Sequence, residues 1–358
     1  MRKWSAGQSS RESDQVMTDG TARAGTAAGA PRGAGRGAAD DHVLAAELAG
    51  AAGRLLLGVR EEMGFADARA LKDTGDLRSH EYLLAALAEH CPGDAVLSEE
   101  GRAQAAGKRS RGEDRAPTRN TADAERLTAD RVWIVDPLDG TREFSEEGRR
   151  DWAVHVALWR RDPSAPSGGR LAAGAVALPA QGLILRTDAT GGASLVRTDA
   201  GEPDPVTAGP GRGRGRPPRE GPLHAPAPDE GKLRIAVSRT RPPEFVRRLA
   251  ERIAGTAPGE EAPGVDVELV PIGSAGAKIS AVLLGEVDAY VHAGGQYEWD
   301  SAAPAAVALA AGAHVSRVDG SPLEYNREDP LLPDILVCHP VSASTLLTGI
   351  REVNGDLP

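Results

Sequence analysis

The sequence has few cysteines and lacks any long apolar run. Its two cysteines, Cys91 and Cys338, are too few and too far apart for a disulfide framework or a cysteine-based metal site. No apolar run approaches the roughly 18 residues that a membrane-spanning helix needs, and the first residues lack the apolar segment of a secretory signal. We therefore expect a protein of a reducing, cytoplasmic compartment with no membrane partner.

The sequence also lacks an excess of basic residues. The 42 basic residues are outnumbered by 52 acidic ones, for a net charge of -10, which argues against a nucleic-acid partner. Only five of the basic residues are lysines, so a lysine inside an ordered motif, such as Lys278, suggests a role that arginine cannot perform.

Composition divides the 358 residues into four segments. Residues 1–40 are rich in Gly, Ala, Ser and Arg and predict a disordered tail. Residues 41–198 predict an N-terminal α+β domain, and the Gly/Pro/Arg-rich residues 199–231 a disordered insertion. Residues 232–358 alternate between strand and helix patterns, which indicates a C-terminal α/β domain.

Local patterns predict the elements of both domains. In the N-terminal domain, one helix starts at residue 41, and a second runs from Tyr82 to His90 after a polar turn over 71–76. The predicted strands there are 95–97, 132–135, 152–159, 172–178, 183–187 and 194–197, the last four in an antiparallel sheet, with a surface loop over 102–130. The C-terminal domain should contain strands 233–237, 266–271, 288–292, 313–318 and 335–338 and helices 243–254, 275–285, 301–311 and 342–352.

The clearest chemistry lies at the end of the strand pattern over 132–135. Asp136 and Asp139 flank a turn and can face one point, which is costly for two like charges unless a cation binds there. The backbone carbonyl of Leu138 is a third hard oxygen ligand, and such ligands suit Mg²⁺ rather than zinc. Taken alone, the same residues are also typical of an ordinary surface turn.

Three further acidic sites stand at predicted element boundaries. Glu99, followed by Glu100, comes directly after a short strand, and Asp300 and Asp76 each precede a helix. Each has a simple alternative: a solvated loop for the glutamates and a helix cap for the aspartates. Their common placement favours a shared metal site.

The chain contains three motifs, in this order: Leu97-Ser-Glu-Glu-Gly101, Trp133-Ile-Val-Asp-Pro-Leu-Asp-Gly-Thr141 and Glu298-Trp-Asp-Ser-Ala-Ala303. With them, the chain resembles the Mg²⁺-dependent phosphomonoesterases of the inositol monophosphatase superfamily, in particular the bacterial 3'(2'),5'-bisphosphate nucleotidases. The resemblance covers about residues 42–350. It implies a layered αβαβα sandwich of the type shared with fructose-1,6-bisphosphatase, with an antiparallel sheet in an α+β N-terminal half and an α/β C-terminal half.

The resemblance also implies roles for particular residues. Two or three Mg²⁺ ions would be held by Glu99, Asp136, the Leu138 carbonyl, Asp139 and Asp300, with Asp136 bridging two of them. Asp76 and the Thr141 hydroxyl would orient the attacking water, and the amides of Gly140 and Thr141 would bind phosphate oxygens. A degraded, non-catalytic sensor with the same fold should have lost at least one of these side chains, but all are present.

The substrate is expected to be a small phosphate ester. Where inositol monophosphatases carry a glutamate for an inositol hydroxyl, this chain has His292 or Ala293, which favours 3'-phosphoadenosine 5'-phosphate over inositol phosphates. Gly273, Ser274 and Lys278 lie between a predicted strand and helix, a common place for ligands, and are expected to bind the substrate. The alternative for Lys278 is an exposed helix lysine. Inositol phosphates and fructose 1,6-bisphosphate are the alternative substrates. The assembly considered for the chain is a homodimer.

Overall fold

The computed structural model describes residues 38–99, 121–198, 220–239, 244–255 and 265–354. Most of the predicted N-terminal tail, Glu100, and residues 199–219 of the predicted insertion lie outside these ranges.

Eight α-helices and twelve strands are present in the described ranges. The helices are α1 (Ala38–Met63), α2 (Ala68–His90), α3 (Thr121–Thr128), α4 (Thr141–Phe144), α5 (Glu244–Ile253), α6 (Ala275–Leu284), α7 (Glu298–Ala310) and α8 (Pro340–Asn354). The strands are β1 (Ala95–Ser98), β2 (Arg131–Asp139), β3 (Ala153–Arg161), β4 (Gly169–Leu178), β5 (Leu183–Thr187), β6 (Ala193–Arg197), β7 (Glu220–Leu223), β8 (Lys232–Ser238), β9 (Asp266–Ile272), β10 (Ala289–Tyr297), β11 (His314–Ser316) and β12 (Leu331–Cys338).

The strands form two sheets. The first has seven strands in the order β1 to β7, of which β1 and β2 are parallel and the others pair antiparallel, as the sequence predicts for 152–197. The second has the order β11-β12-β10-β8-β9, with β8 parallel to both β9 and β10. Strand β12 runs antiparallel to β10 and β11, so this sheet is mixed.

Helices cover the sheets in alternating layers. On β2, Trp133 and Val135 face α1 and α2, whereas Val132 and Ile134 face α6 and α7, which lie between the two sheets. Helices α5 and α8 pack on the other face of the second sheet. This alternation along β2 is the period-two pattern of a strand buried on both faces, and the resulting layers confirm the expected αβαβα sandwich.

Helix α1 is an apolar core helix. Residues 41–63 are long and apolar enough to cross a membrane by length and composition, because they contain an 18-residue window with a mean hydropathy of 1.3, although the sequence was expected to contain no such run. In the structure, 61% of this window is buried, and Leu44, Leu48 and Leu56 pack against the first sheet. The spacing of these leucines places them on one helix face, as in a helix that covers a sheet.

Three predicted loops contain regular structure. The polar residues 71–76 belong to α2, which starts earlier because Asp67 caps it by accepting the amides of Arg69 and Ala70. The predicted loop over 102–130 contains α3, and the predicted insertion contains β7. Among the residues whose burial the structure describes, α3 buries only Arg126 and β7 only Leu223, so no apolar period marked either element.

Candidate metal and phosphate site

Three carboxylates meet at the end of β2 and the start of α7. Ligand oxygens of Asp136, Asp139 and Asp300 all lie within 4.8 Å of one another. Strand β2 continues through Asp139 rather than ending at Asp136 as predicted, but its pairing with β3 shifts between the two aspartates. This β-bulge lets residues three apart in sequence point to the same place.

Asp136 is the most buried member of the cluster, with 1% of its surface exposed. The amide of Leu138 donates to its Oδ1 at 3.0 Å. Burial, together with the charges of Asp139, Glu99 and Asp300, raises the pKa of Asp136 well above its ordinary value. A bound cation would reverse this effect, because it favours the ionised carboxylate.

Asp139 has an environment that favours its charge. Its carboxylate accepts the amides of Ala275 and Gly276, at 3.2 and 2.6 Å, from the first turn of α6. His155 Nε2 lies 3.2 Å from its Oδ2. Burial alone would raise the pKa of Asp139, but His155, the Gly276 amide and the charge of Lys278 hold it below its ordinary value.

Asp300 lies in the first turn of α7. Its Oδ2 accepts the amide of Tyr297 at 2.6 Å, so the carboxylate caps the helix and also reaches the cluster. Burial and the charge of Asp139 raise the pKa of Asp300 to about 6. The side chain therefore forms the predicted helix cap and also lies in the predicted acidic cluster.

The other predicted residues surround this cluster. Glu99 follows β1, which pairs in parallel with β2, and its charge acts on Asp136. Asp76 lies inside α2, and one turn later Ser79 donates to the carbonyl of Pro137 at 2.6 Å, so this part of α2 contacts the site. The turn over Gly140 and Thr141 starts α4, with Gly140 at a φ of 87°, a conformation that favours glycine.

Gly273, Ser274 and Lys278 form the junction between β9 and α6. The Ser274 hydroxyl accepts the Ala277 amide at 3.0 Å, and Asp151 accepts the amides of both Gly273 and Ser274. Lys278 is only 6% exposed, so its interpretation as an exposed helix lysine is wrong. Its ammonium donates to the Gly273 carbonyl and lies 5.3 Å from the centre of the Tyr290 ring. Burial lowers the pKa of Lys278.

Two further polar side chains line the same region on β10. Within the described part of the chain, His292 Nε2 and Gln296 Oε1 are buried atoms without a hydrogen-bond partner. Burial and the charge of Lys278 lower the pKa of His292 to about 4, so this imidazole is neutral near pH 7. Buried polar atoms without partners are rare in proteins, and they are suited to a bound group.

His155 and Gly276 are site residues to which the sequence gave no role. His155 is held by the carbonyl of Trp299, 3.1 Å from its Nδ1, while its other ring nitrogen faces Asp139. A Cβ at Gly276 would lie 2.0 Å from His155 Nε2. In the sequence, the only indication of this contact was that Gly276 lies next to the predicted start of a helix at residue 275. Glycine is common near helix starts for other reasons, so it did not point to His155.

The residues present fit a hard cation. The donors are carboxylate oxygens, two of the three cluster residues are buried, and the pKa of both Asp136 and Asp300 is raised by burial and by neighbouring negative charge. Oxygen donors of this kind suit Mg²⁺, Mn²⁺ or Ca²⁺ better than softer metals.

A layered α/β fold with an acidic cluster that could hold a metal ion between its two sheets is the arrangement expected of a metal-dependent phosphoester hydrolase. The sequence model of the inositol monophosphatase family matches residues 44–353, and the chain belongs to this family, whose members are metal-dependent. The predicted family, fold and enzyme class, a phosphoric monoester hydrolase, are therefore confirmed.

Several relatives are similar over most of their length. A "3'-phosphoadenosine 5'-phosphate phosphatase" of Mycobacterium leprae is 48% identical over 316 residues, which cover 87% of this chain and 94% of the relative. A protein of the same name from Mycobacterium bovis is 46% identical, over 84% of this chain and 90% of the relative. The crystal structure of CysQ from Bacteroides thetaiotaomicron has a TM-score of 0.60 at 25% identity, over 84% of this chain and 97% of that one.

Proposed function

We propose that this chain hydrolyses 3'-phosphoadenosine 5'-phosphate to AMP and phosphate in the cytoplasm, with Mg²⁺ as the metal. The observation that carries the phosphatase chemistry is the convergence of Asp136, Asp139 and Asp300, whose ligand oxygens lie within 4.8 Å of one another and two of which are buried. The choice of substrate is supported by relatives at 46–48% identity that are named for it. The acidic net charge supports the absence of a nucleic-acid partner.

The metal ligands are proposed as follows. Asp136 would contribute to both ion sites, Glu99 and the Leu138 carbonyl would complete one of them, and Asp139 and Asp300 would complete the other. A third ion is compatible with this arrangement. When bound, such ions neutralise the phosphate dianion and make a water molecule more acidic.

The chain's own residues orient the reactants. Asp76 and the Thr141 hydroxyl hold the attacking water, and the amides of Gly140 and Thr141 donate to phosphate oxygens. Asp139 uses part of its hydrogen-bonding capacity for the two α6 amides, which fixes its carboxylate relative to Asp136. Such pre-organisation avoids reorganisation of the site during the reaction.

The distal part of the substrate is proposed to bind at the start of α6. Gly273, Ser274 and Lys278 contact it there, with Lys278 near the phosphate that is not cleaved. The burial of Lys278 and the unpartnered atoms of His292 and Gln296 support a polar subsite in this region. A buried ammonium binds a phosphate more strongly than an exposed one, because water screens it less.

A phosphate-release panel with Mg²⁺ tests the proposal. The substrates are 3'-phosphoadenosine 5'-phosphate, inositol 1-phosphate and fructose 1,6-bisphosphate, and the bisphosphate nucleotide is expected to give the highest kcat/KM. A higher value for either sugar phosphate would overturn the substrate assignment. Tight binding of the nucleotide without phosphate release would instead show the non-catalytic sensor.

A further inference from the structure

A buried arginine connects two segments that are 200 residues apart. Arg126 in α3 is 1% exposed, and its guanidinium donates to Asn326 Oδ1 at 2.9 Å. It also donates to the carbonyls of Arg327 and Glu328, at 2.8 and 3.2 Å. The Asn326 side chain donates back to the Arg126 carbonyl at 3.2 Å. The loop before β12 is thus held from one side by α3.

The same loop is held from its other side by the first residue of α7. Glu298 is 1% exposed, and its two carboxylate oxygens accept the amides of Asn326 and Arg327, at 2.6 and 2.7 Å. Its own amide donates to the Pro330 carbonyl at 2.8 Å. Glu298 stands two residues before Asp300, so these bonds fix the helical turn that carries a cluster carboxylate. We call Arg126, Glu298 and Asn326 the α7 clasp.

Asn326 has an unusual backbone conformation. Its φ is 61°, and it is the one non-glycine residue in the described ranges with a positive φ. Asparagine tolerates this left-handed region better than most residues, but the conformation still needs support from its surroundings. The contacts from Arg126 and Glu298 supply that support from both sides.

Burying an arginine and a carboxylate is an expensive way to stabilise a loop. Desolvation of charged groups costs several kcal/mol, and well-packed apolar residues often stabilise as much or more. A fully bonded polar network does, however, specify one geometry, because its alternatives leave buried groups unpaired. The α7 clasp is therefore better explained by the single orientation that it imposes on the first turn of α7 than by its effect on stability alone.

We infer that the α7 clasp is a positioning unit that sets Asp300 for metal binding. Its residues act through the first turn of α7 and not on the substrate. This inference rests on the proposed metal-dependent function, and it concerns binding of the ion rather than the chemical step. Partners that orient metal ligands typically change metal affinity by about 10- to 100-fold when they are removed.

The test compares Mg²⁺ binding and activity in two variants. Asn326→Gly keeps the left-handed conformation but removes both side-chain bonds to Arg126, and Glu298→Gln removes one of the two amide acceptors. Each should weaken Mg²⁺ binding, measured by titration calorimetry, by about tenfold. The Mg²⁺ concentration for half-maximal activity should rise by the same factor, whereas kcat at saturating Mg²⁺ should change less than about twofold.

Asp288→Asn is the matched control. Asp288 is also a buried carboxylate, and it accepts the Arg234 amide and guanidinium at 2.6–3.1 Å, but it precedes β10 and has no role in the proposed site. The control should lower the Tm without changing Mg²⁺ affinity.

Unchanged Mg²⁺ affinity in a folded Asn326→Gly protein would overturn the inference, whatever happens to its Tm. If Glu298→Gln fails to fold, Asn326→Gly still decides, because glycine adopts the required φ without strain. Calorimetry separates the two proposals: weakened Mg²⁺ binding in a chain that never cleaves the nucleotide would support the clasp and contradict the proposed substrate.

Discussion

Without a bound cation, ionisation of Asp136 is less favourable than ionisation of the other two cluster carboxylates. Because burial and neighbouring carboxylates raise its pKa, the folded metal-free protein retains a proton that the unfolded chain releases. The stability of the metal-free protein should therefore fall as pH rises from the ordinary carboxyl value of about 3.9 towards the raised one.

Asp136→Asn should abolish phosphate release but not destabilise the metal-free fold. The amide cannot ionise, so the Tm measured in a chelator at pH 8 should equal or exceed that of the parent protein. Asp67→Asn is the control, because asparagine caps a helix about as well as aspartate. Near-normal turnover in the folded Asp136→Asn protein would contradict the proposed metal ligands.

Lys278 offers a test of substrate choice at the residue scale. Lys278→Ala should raise KM for the bisphosphate nucleotide, with a loss on the order of 1–3 kcal/mol in kcat/KM, the range of a charge-assisted hydrogen bond. Activity on a small monophosphate without the distal group should barely change, because the contact is equal in ground and transition states.

Two further variants show how the result for Lys278→Ala is to be interpreted. Lys232→Ala removes a partly exposed lysine that pairs with Glu268, and it should leave both substrates unaffected. Lys278→Met keeps the buried side-chain volume and shows whether Lys278→Ala acts through packing. Equal losses on both substrates would place Lys278 in the phosphate-cleaving centre or the core instead.

At the scale of elements, β2 shows what a sequence pattern can and cannot predict. Its apolar run and the two aspartates after it were enough to predict the strand and the acidic cluster. The bulge between Asp136 and Asp139 was not predictable, because it depends on pairing with β3. Likewise, Asp76 was placed in a turn because glycine and charged residues surround it. In the structure, Gly75 lies inside helix α2, and a Cβ there would lie 2.7 Å from Phe144 Cε1 and 3.1 Å from Leu138 Cδ2, so close packing explains the glycine.

The first turn of α6 depends on a glycine. An added Cβ at Gly276 would lie 2.0 Å from His155 Nε2 and 3.1 Å from Asp139 Oδ2. Gly276→Ala should therefore displace both groups, weaken Mg²⁺ binding by about tenfold or more and cost about 1–3 kcal/mol of stability through overpacking. Calorimetric Mg²⁺ titration and thermal unfolding measure the two effects.

Gly58→Ala on α1 is the matched control for this substitution. Nothing lies within 4 Å of a Cβ at Gly58. Alanine there should stabilise the helix by about 0.5–1 kcal/mol and leave Mg²⁺ affinity unchanged. If Gly276→Ala behaved in the same way, the close approach of His155 would not matter for the site.

At the scale of the whole molecule, β7 limits how far the predicted insertion can be shortened. Deleting 205–218, which lies outside the described residues, should leave catalysis and Tm nearly unchanged, because loop closure depends weakly on length. Deleting 205–228 also removes β7, which pairs with β6 and buries Leu223. That longer deletion should cost at least about 1.5–3 kcal/mol, the value of one buried leucine. Equal Tm values for the two deletions would contradict a structural role for β7.

Contacts between distant segments explain the rest of what the sequence did not show. The α7 clasp joins residues 126, 298 and 326, and nothing in the local pattern around any of them indicates a partner. The pairing of His155 with Asp139 was equally unmarked, since it exists only once β2 and β3 are aligned. Motifs predicted the three carboxylates of the cluster, but only the folded chain reveals the side chains that orient them.

The three clustered carboxylates come from both halves of the sandwich. Asp136 and Asp139 end a strand of the first sheet, whereas Asp300 follows β10 of the second. A partly folded chain with only one sheet formed cannot assemble the ion site. Each molecule is then either fully active or inactive. The specific activity of a preparation therefore measures the fraction of its molecules that are fully folded. A chain split between the two sheets would regain activity only when its fragments reassociate.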